Sequence, residues 1–444
     1  MTHGITFVIF FFFFDLAKRK LAPAIADLLE HKDILESSLF VGVGRSDFTS
    51  ESYKEMLLSK QTAKVKNRLE NLNIQYFRGD ASKDLEGFSA FLEKHKRKNC
   101  STIFYLATSF TLFGDIVKQL KKQKLHVEDE CFTRIVFEKP FGFDSASHDA
   151  FEKEIHKVFK ESQVYRIDHY LGKETVANLI TLKYENTVFE NLLNKENVDK
   201  IDIVVDEDLL VGSRVSYYND FGATKDMIQS HLLQVYSLLL SDTPKELSTE
   251  KIHAAKVAVL KNTTVLPVKE HLLGSYEGYE DEVLSEGLEK KGTETFVKMG
   301  LTCSNERWKG VPVYLRTGKG LPEKYGQIRV QFKHNPKAQC KPNVLEINIQ
   351  PNQDVNLYLN VKRNNACEDM VLNFCHDCKF GPNTKDGYEK MFREIIKGDH
   401  IMFTSVEENR YAWKILEDFE KIRQKIPFVN YPKGKDPEYI LHKA

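Results

Sequence analysis

Up to about residue 165 the chain alternates short apolar runs with segments of helical periodicity, and few patterns leave a polypeptide less choice of fold. "ITFVIF" reads as a strand and "DLAKRKLAPAIADLLEHK" as a helix, with Asp15 near its positive N-terminal end. "SSLFVGVGRS", "IQYFRGD", "CSTIFYLAT" and "TRIVFEKPFG" repeat the strand signal. "SYKEMLLSKQTAKVKNRLENL", "EGFSAFLEKHKRK" and "LFGDIVKQLKKQKL" supply the intervening helices. Strands joined through helices pair in parallel, so this part predicts a doubly wound, Rossmann-like α/β domain over residues 1–165.

Beyond "QVYRIDHYLGKETVANLITLKYEN" the period changes. "VDKIDIVVDEDLL", "VPVYLRTGKGL", "QIRVQFK", "VLEINIQP" and "VNLYLNVKR" alternate apolar with polar residues, as strands do when one face is covered. "GATKDMIQSHLLQVYSLLLSD" and "RYAWKILEDFEKIRQK" are the helices available to cover it. Residues 166–444 therefore predict an α+β domain with a large, mainly antiparallel sheet, and a length of 444 residues suits two or three domains.

Lys+Arg and Asp+Glu both total 64, so no global field recruits nucleic acid or an acidic membrane surface, and any anion must be held by local clusters. The apolar run from Ile5 to Phe14 falls well short of the ~20 residues that span a bilayer. It has no basic n-region and no small-residue cleavage site, and the expected location is cytoplasmic. Seven cysteines, an odd number in a long chain, point to reduced thiols rather than a disulfide framework. "CHDC", Cys375 to Cys378, has the look of a metal half-site, but only Cys340 and Cys367 lie near enough in sequence to complete it, and no metal is expected.

Several stretches carry chemistry. In "RIDHYLGKE", a helical conformation would put His169 and Lys173 on one face as a pair of phosphate donors, and Asp168 could orient an imidazole. A solvated polar helix start explains the same spacing. His231 stands among Met227, Ile228, Leu232, Leu233 and Val235, as either a satisfied core histidine or a general base. "LRTGKGLPEKYG" places Lys319 and Lys324 in a glycine-rich turn between strands, and "FEKPFG" places Lys139 at a strand end, where open α/β sheets bind ligands.

Taken together, "RIDHYLGKE", "FEKPFG", "DM-x-QSH-x-LQ", "LRTGK" and "QPN" resemble, in order and spacing, the glucose-6-phosphate dehydrogenase family. The likeness runs from "DLAKRKLAP" to "AWKIL" and "YPKGKDPE". The resemblance implies oxidation of glucose 6-phosphate at C1 to the 6-phosphoglucono-lactone, with hydride passing to NADP. It implies His231 as general base and Asp168 as the carboxylate that orients it. His169, Tyr170 and Lys173 would hold the phosphate, and Glu207 and Asp226 would accept sugar hydroxyls. Lys139, Lys319, Lys324 and Gln350 would complete the substrate contacts, Lys139 beside the nicotinamide. A homodimer, or a dimer of dimers, is implied as well. Ser230 stands where the family has Asn, and "YLATSF" replaces a segment that in the family contains proline.

On the cofactor side, Arg45 closes the second strand where an NAD site would carry an acidic residue, which favours a 2′-phosphate. Asp15, Leu16 and Lys20 match the family's first turn and helix. The family's G-x-x-G, however, is Phe11 to Phe14 here. Phenylalanine in the left-handed region costs ~1–2 kcal/mol per residue, and its ring would fill the phosphate space. The expectation is impaired NADP binding, with a non-catalytic sugar-phosphate-binding relative as the alternative function. A remodelled loop that turns the rings away is the competing outcome.

Overall fold

The computed structural model describes residues 4–11, 15–96, 101–364, 366–375, 378 and 387–441. The chain divides into two compact units, Met1–Gly172 with Lys385–Val406, and Lys173–Thr384 with Glu407–Ala444.

The first unit is built on six parallel strands: β1 (Ile5–Phe11), β2 (Leu39–Gly44), β3 (Asn73–Arg78), β4 (Ser101–Ala107), β5 (Thr133–Phe137) and β6 (Val164–Arg166). Their order is β3-β2-β1-β4-β5-β6, which reverses direction between β1 and β4 and opens a crevice at their C-terminal ends. Helices on both faces bury β1 completely. Ile5, Phe7, Ile9 and Phe11 point into one core, Val8 and Phe10 into the other. A strand covered on both sides needs no polar alternation, which explains the uninterrupted apolar run. The helix Tyr388–Lys397 closes one face, its Phe392 meeting Phe7 edge-on at 5.5 Å and Tyr105 at 5.8 Å.

Three local expectations are corrected. The helical stretch after β2 is two helices, Ser50–Leu58 and Ala63–Leu69, because the Thr62 hydroxyl captures the Val65 N–H and starts a new helix. "VYR" supplies the sixth strand, too short to show a period of its own. The first helix widens to a π-helical turn over Ala17–Leu21, just ahead of Pro23, which has no N–H to give the regular ladder.

The second unit holds a ten-stranded sheet. Its strands are β7 (Val198–Asp206), β8 (Thr263–Val265), β9 (Leu272–Tyr276), β10 (Phe296–Cys303) and β11 (Pro312–Gly318). The remaining five are β12 (Tyr325–Phe332), β13 (Val344–Gln350), β14 (Asp354–Arg363), β15 (Ala366–Cys375) and β16 (Phe428–Tyr431). The order is β15-β14-β13-β12-β7-β11-β10-β9-β16, with β8 paired to β10. Pairing is antiparallel except at β7/β11 and β9/β16.

The helix Val215–Ala223 runs into a π-helical segment, Thr224–Leu232, and then the buried helix Leu233–Leu240. Gly222 makes the junction at φ +62°, and a Cβ there would lie 2.5 Å from the Glu294 carboxylate, which receives the Thr224 N–H at 2.9 Å. Glycine is required on both counts.

The reading of the cysteines as reduced thiols is overturned for four of them. Cys340 is bonded to Cys367 and Cys375 to Cys378, with Cα atoms 5.4 Å and 5.2 Å apart. The loop between β12 and β13 brings Cys340 to the start of β15, a proximity that strand pairing creates and spacing in the sequence does not reveal.

Candidate active site

In the first unit, a crevice of about 220 Å³ opens over the ends of β1, β2 and β4, lined by Phe10, Phe11, Gly44, Arg45, Asp80 and Thr108 among others. Arg45 is exposed at its rim, one residue past β2. Hydrogen bonding from Ser82, with Arg45 nearby, holds the Asp80 carboxyl below its usual range. Asp15 is exposed and pairs with Arg19 at 3.4 Å, while Leu16 and Lys20 are half-buried on the same helix. The Phe11 ring is buried, stacked at 5.7 Å on Tyr53 and 6.4 Å on Tyr76, so it forms floor rather than obstruction. Phe12 to Phe14 lie outside the described residues. A nucleotide phosphate requires a facing cation and backbone free of Cβ bulk, and Arg45 beside Gly44 and Gly79 meets both needs.

At the neighbouring strand ends, register does the positioning. β5 and β6 pair Phe137 with Arg166, so Lys139 and Asp168 both emerge two residues later on the same edge. Arg166 is fully buried and held by Glu152 and Glu161 at 2.5–3.0 Å, which anchors the start of "RIDHYLGKE". The stretch from Asp168 to Lys173 is a turn, which corrects the helical reading. The Asp168 carboxylate accepts the Tyr170 N–H at 2.9 Å and diverts the backbone from the helix, which begins only at Glu174. Asp168 is 2% exposed, and the His169 and Tyr170 rings lie 5.1 Å apart. His169 and Tyr170 belong to the first unit, and Lys173 begins the second.

Sequence reasoning missed Glu138, which preceded the lysine it did single out. The hydroxyls of Tyr105 and Tyr388 both donate to the Glu138 carboxylate, and burial pushes that carboxyl above its usual range.

In the second unit, β7 and β11 pair Asp206 with Gly318, so the next residue on each strand is Glu207 and Lys319, and these two form an ion pair. Lys319 is 4% exposed. Burial pushes the Asp206 carboxyl up to about 6 despite Arg316 beside it. Lys173 donates to Gln350, the last residue of β13, at 3.0 Å. Lys324 is exposed in the loop between β11 and β12. The π-helical segment carries Asp226, which accepts the Tyr217 hydroxyl at 3.2 Å, and His231, which is 1% exposed. Ser230 donates to the Asp226 carbonyl at 2.6 Å, so the residue that departs from the family's Asn serves the segment's own backbone.

The chain is similar to known proteins along most of its length. The sequence profile "Glucose-6-phosphate dehydrogenase, NAD binding domain" matches residues 8–178, and "Glucose-6-phosphate dehydrogenase, C-terminal domain" matches residues 180–440. A glucose-6-phosphate 1-dehydrogenase of Borreliella burgdorferi is 33% identical over 97% of this chain and 95% of its own. The cytoplasmic glucose-6-phosphate 1-dehydrogenase 6 of Arabidopsis thaliana is 32% identical over 97% of this chain and 89% of its own. Among solved structures, a glucose-6-phosphate dehydrogenase in complex with its substrate glucose-6-phosphate superposes with a TM-score of 0.88 at 28% identity, over 99% of this chain and 97% of that one. With the two profiles together spanning residues 8–178 and 180–440 and relatives matched along almost the full length, the chain belongs to the glucose-6-phosphate dehydrogenase family.

Proposed function

We propose that this chain oxidises glucose 6-phosphate at C1 to the 6-phosphoglucono-lactone, with hydride transfer to NADP. The observation that carries the reading is the pairing of Lys319 with Glu207 and of Lys173 with Gln350 at strand ends of one sheet. Two cations with their acceptors are what a phosphorylated sugar needs for orientation. Lys173, with His169 and Tyr170, holds the phosphate. Glu207 and Asp226 accept sugar hydroxyls, and Lys139, Lys319, Lys324 and Gln350 fix the ring.

His231 removes the C1 hydroxyl proton, and Asp168 keeps the imidazole in the tautomer that can accept it. A bound nicotinamide supplies the hydride acceptor. Arg45, Lys20 and the helix that begins at Asp15 and Leu16 hold the nucleotide. The exposed arginine at the end of β2 supports NADP over NAD. A non-catalytic sugar-phosphate binder is the less favoured reading, since the dehydrogenase relatives match along almost the full length, the nucleotide-binding part included. A cytoplasmic homodimer is proposed as well, supported by the cytoplasmic relative and by the apolar residues exposed on β15.

The test is NADPH formation at 340 nm with glucose 6-phosphate. Turnover by the unmodified chain is expected, falling about 10²–10⁴-fold in His231→Asn. No turnover sinks the reading, and a loss below tenfold removes His231 from the role of base.

A further inference from the structure

The pair Lys319–Glu207 rests on a second tier of contacts. Tyr431, the fully buried last residue of β16, donates its hydroxyl to the Lys319 carbonyl at 2.7 Å. Three residues on, the Gly434 N–H donates to the Gly320 carbonyl at 2.7 Å. The turn is held from its other side too, since the Lys319 N–H donates to the Thr295 carbonyl at 2.9 Å and the Leu321 N–H to the Glu207 carbonyl at 3.0 Å. Gly320 sits at φ +64°, so this backbone follows a path that its ties must maintain.

Arg316, three residues before Lys319, joins the same two segments through charge. Its Nη2 donates to Asp206 at 2.8 Å, the residue before Glu207. Its Nη1 reaches Asp436 at 2.9 Å and Glu438 at 3.0 Å, both in the C-terminal segment. Asp206 is 1% exposed and Arg316 is largely buried, so both terminal nitrogens of the guanidinium are committed to these carboxylates.

We propose that Tyr431 and Arg316 are positioning residues for the sugar: they fasten the C-terminal segment onto the turn carrying Lys319 and the strand end carrying Glu207, and so present that pair in one geometry. The inference rests on the reading of Lys319 and Glu207 as sugar contacts. A lysine ammonium on four rotatable bonds is a poor discriminator unless its backbone is fixed, and a displacement of about 1 Å at such a contact is enough to lose binding or rate.

The experiment compares the full-length chain with Tyr431→Phe, which keeps the ring against Phe296, and with the double variant Asp436→Asn/Glu438→Gln, which removes charge from the outer side of Arg316 and, at Glu438, from its second partner Lys298. Calorimetric Kd values for glucose 6-phosphate and for NADP are measured separately, with steady-state KM and kcat and a melting curve for each protein. The expected result is a 5- to 20-fold rise in Kd and KM for the sugar phosphate in both variants. Kd for NADP and kcat stay within twofold. Unchanged sugar affinity, or equal loss of sugar and cofactor affinity, overturns the positioning roles. Should the unmodified chain bind the sugar phosphate but form no NADPH, the dehydrogenase reading falls and the Kd comparison still decides the inference. A chain that binds no glucose 6-phosphate overturns both.

Discussion

The proposed preference for NADP turns on Arg45. It follows Gly44 at the end of β2, exposed at the rim of the crevice, where a 2′-phosphate gains a cation and a ribose hydroxyl gains nothing. Arg45→Ala is expected to lower kcat/KM with NADP at least tenfold and to leave the value with NAD within about threefold. Equal loss with both cofactors, measured by initial rates, would mean that the arginine supports the crevice and does not read the phosphate. Individual residues of this kind were legible in the sequence where motif and strand end coincide, as with Arg45 and Lys139. Pairings were not: Lys173 meets Gln350 across 177 residues of chain, and only the order of strands brings them together. Phe11 is instructive in the other direction. Its position predicts obstruction, but the adjoining Tyr53 and Tyr76 make an aromatic site for the ring, and Gly42 leaves room for Tyr53, whose ring lies 2.5 Å from where a Cβ would stand.

Elements were easiest to read where burial imposes a simple period, as in β1, β2, β4 and the alternating strands β7 and β11 to β14. They were hardest to read where side chains compete with the backbone for hydrogen bonds. The Asp168 turn and the new helix at Thr62 are both of this kind, each decided by one acceptor oxygen. A different one-residue dependence joins the helix Thr249–Lys261 to the helix Val406–Glu420. Glu408 is fully buried and accepts from His253 at 2.5 Å and from Lys256 at 2.8 Å. Burial alone would raise its pKa, but Lys256 and His253 outweigh it and hold the carboxyl at about 2. The folded value lies below the ordinary one, so the unfolded chain binds the extra proton. The stabilisation is complete above the unfolded value near 4.5 and is lost as pH falls toward 2, a contribution of roughly 3 kcal/mol. Glu408→Gln is expected to lower the urea midpoint at pH 7, because it leaves the Lys256 ammonium buried and uncompensated, at a cost of about 3–5 kcal/mol. The variant should also lose much of the difference between pH 4.5 and pH 2.5 that the unmodified protein shows. An identical acid dependence in both proteins would rule out Glu408 as its source.

At the scale of the whole molecule, the sequence hides how the chain threads its units. Residues 385–406 return to the first unit, where Phe392 and Tyr388 complete a core begun by β1 and β4, and nothing local in "GYEKMFREIIKGDH" announces that destination. The sheet edge of the second unit is a comparable case. β15 ends the described strand order with Met370, Val371, Leu372 and Phe374 between 42% and 52% exposed, on both faces of a ten-residue strand. Beside it runs a groove of about 760 Å³ whose apolar lining includes Leu182, Phe189, Ile347, Leu357, Leu372 and Phe374. A long apolar edge left in water invites uncontrolled pairing, so a folded chain that stays in solution must cover it. A second copy does so economically, since a two-fold interface buries the same patch twice. Leu372 and Phe374 are two apart and therefore share a face of β15, which makes them the natural place to insert charge. The double variant Leu372→Asp/Phe374→Asp is expected to sediment as a monomer at micromolar concentration while the unmodified chain sediments as a dimer, with the melting temperature falling as the interface is lost. A dimeric double variant would place the interface on another surface, and a monomeric unmodified chain would remove the proposed homodimer altogether.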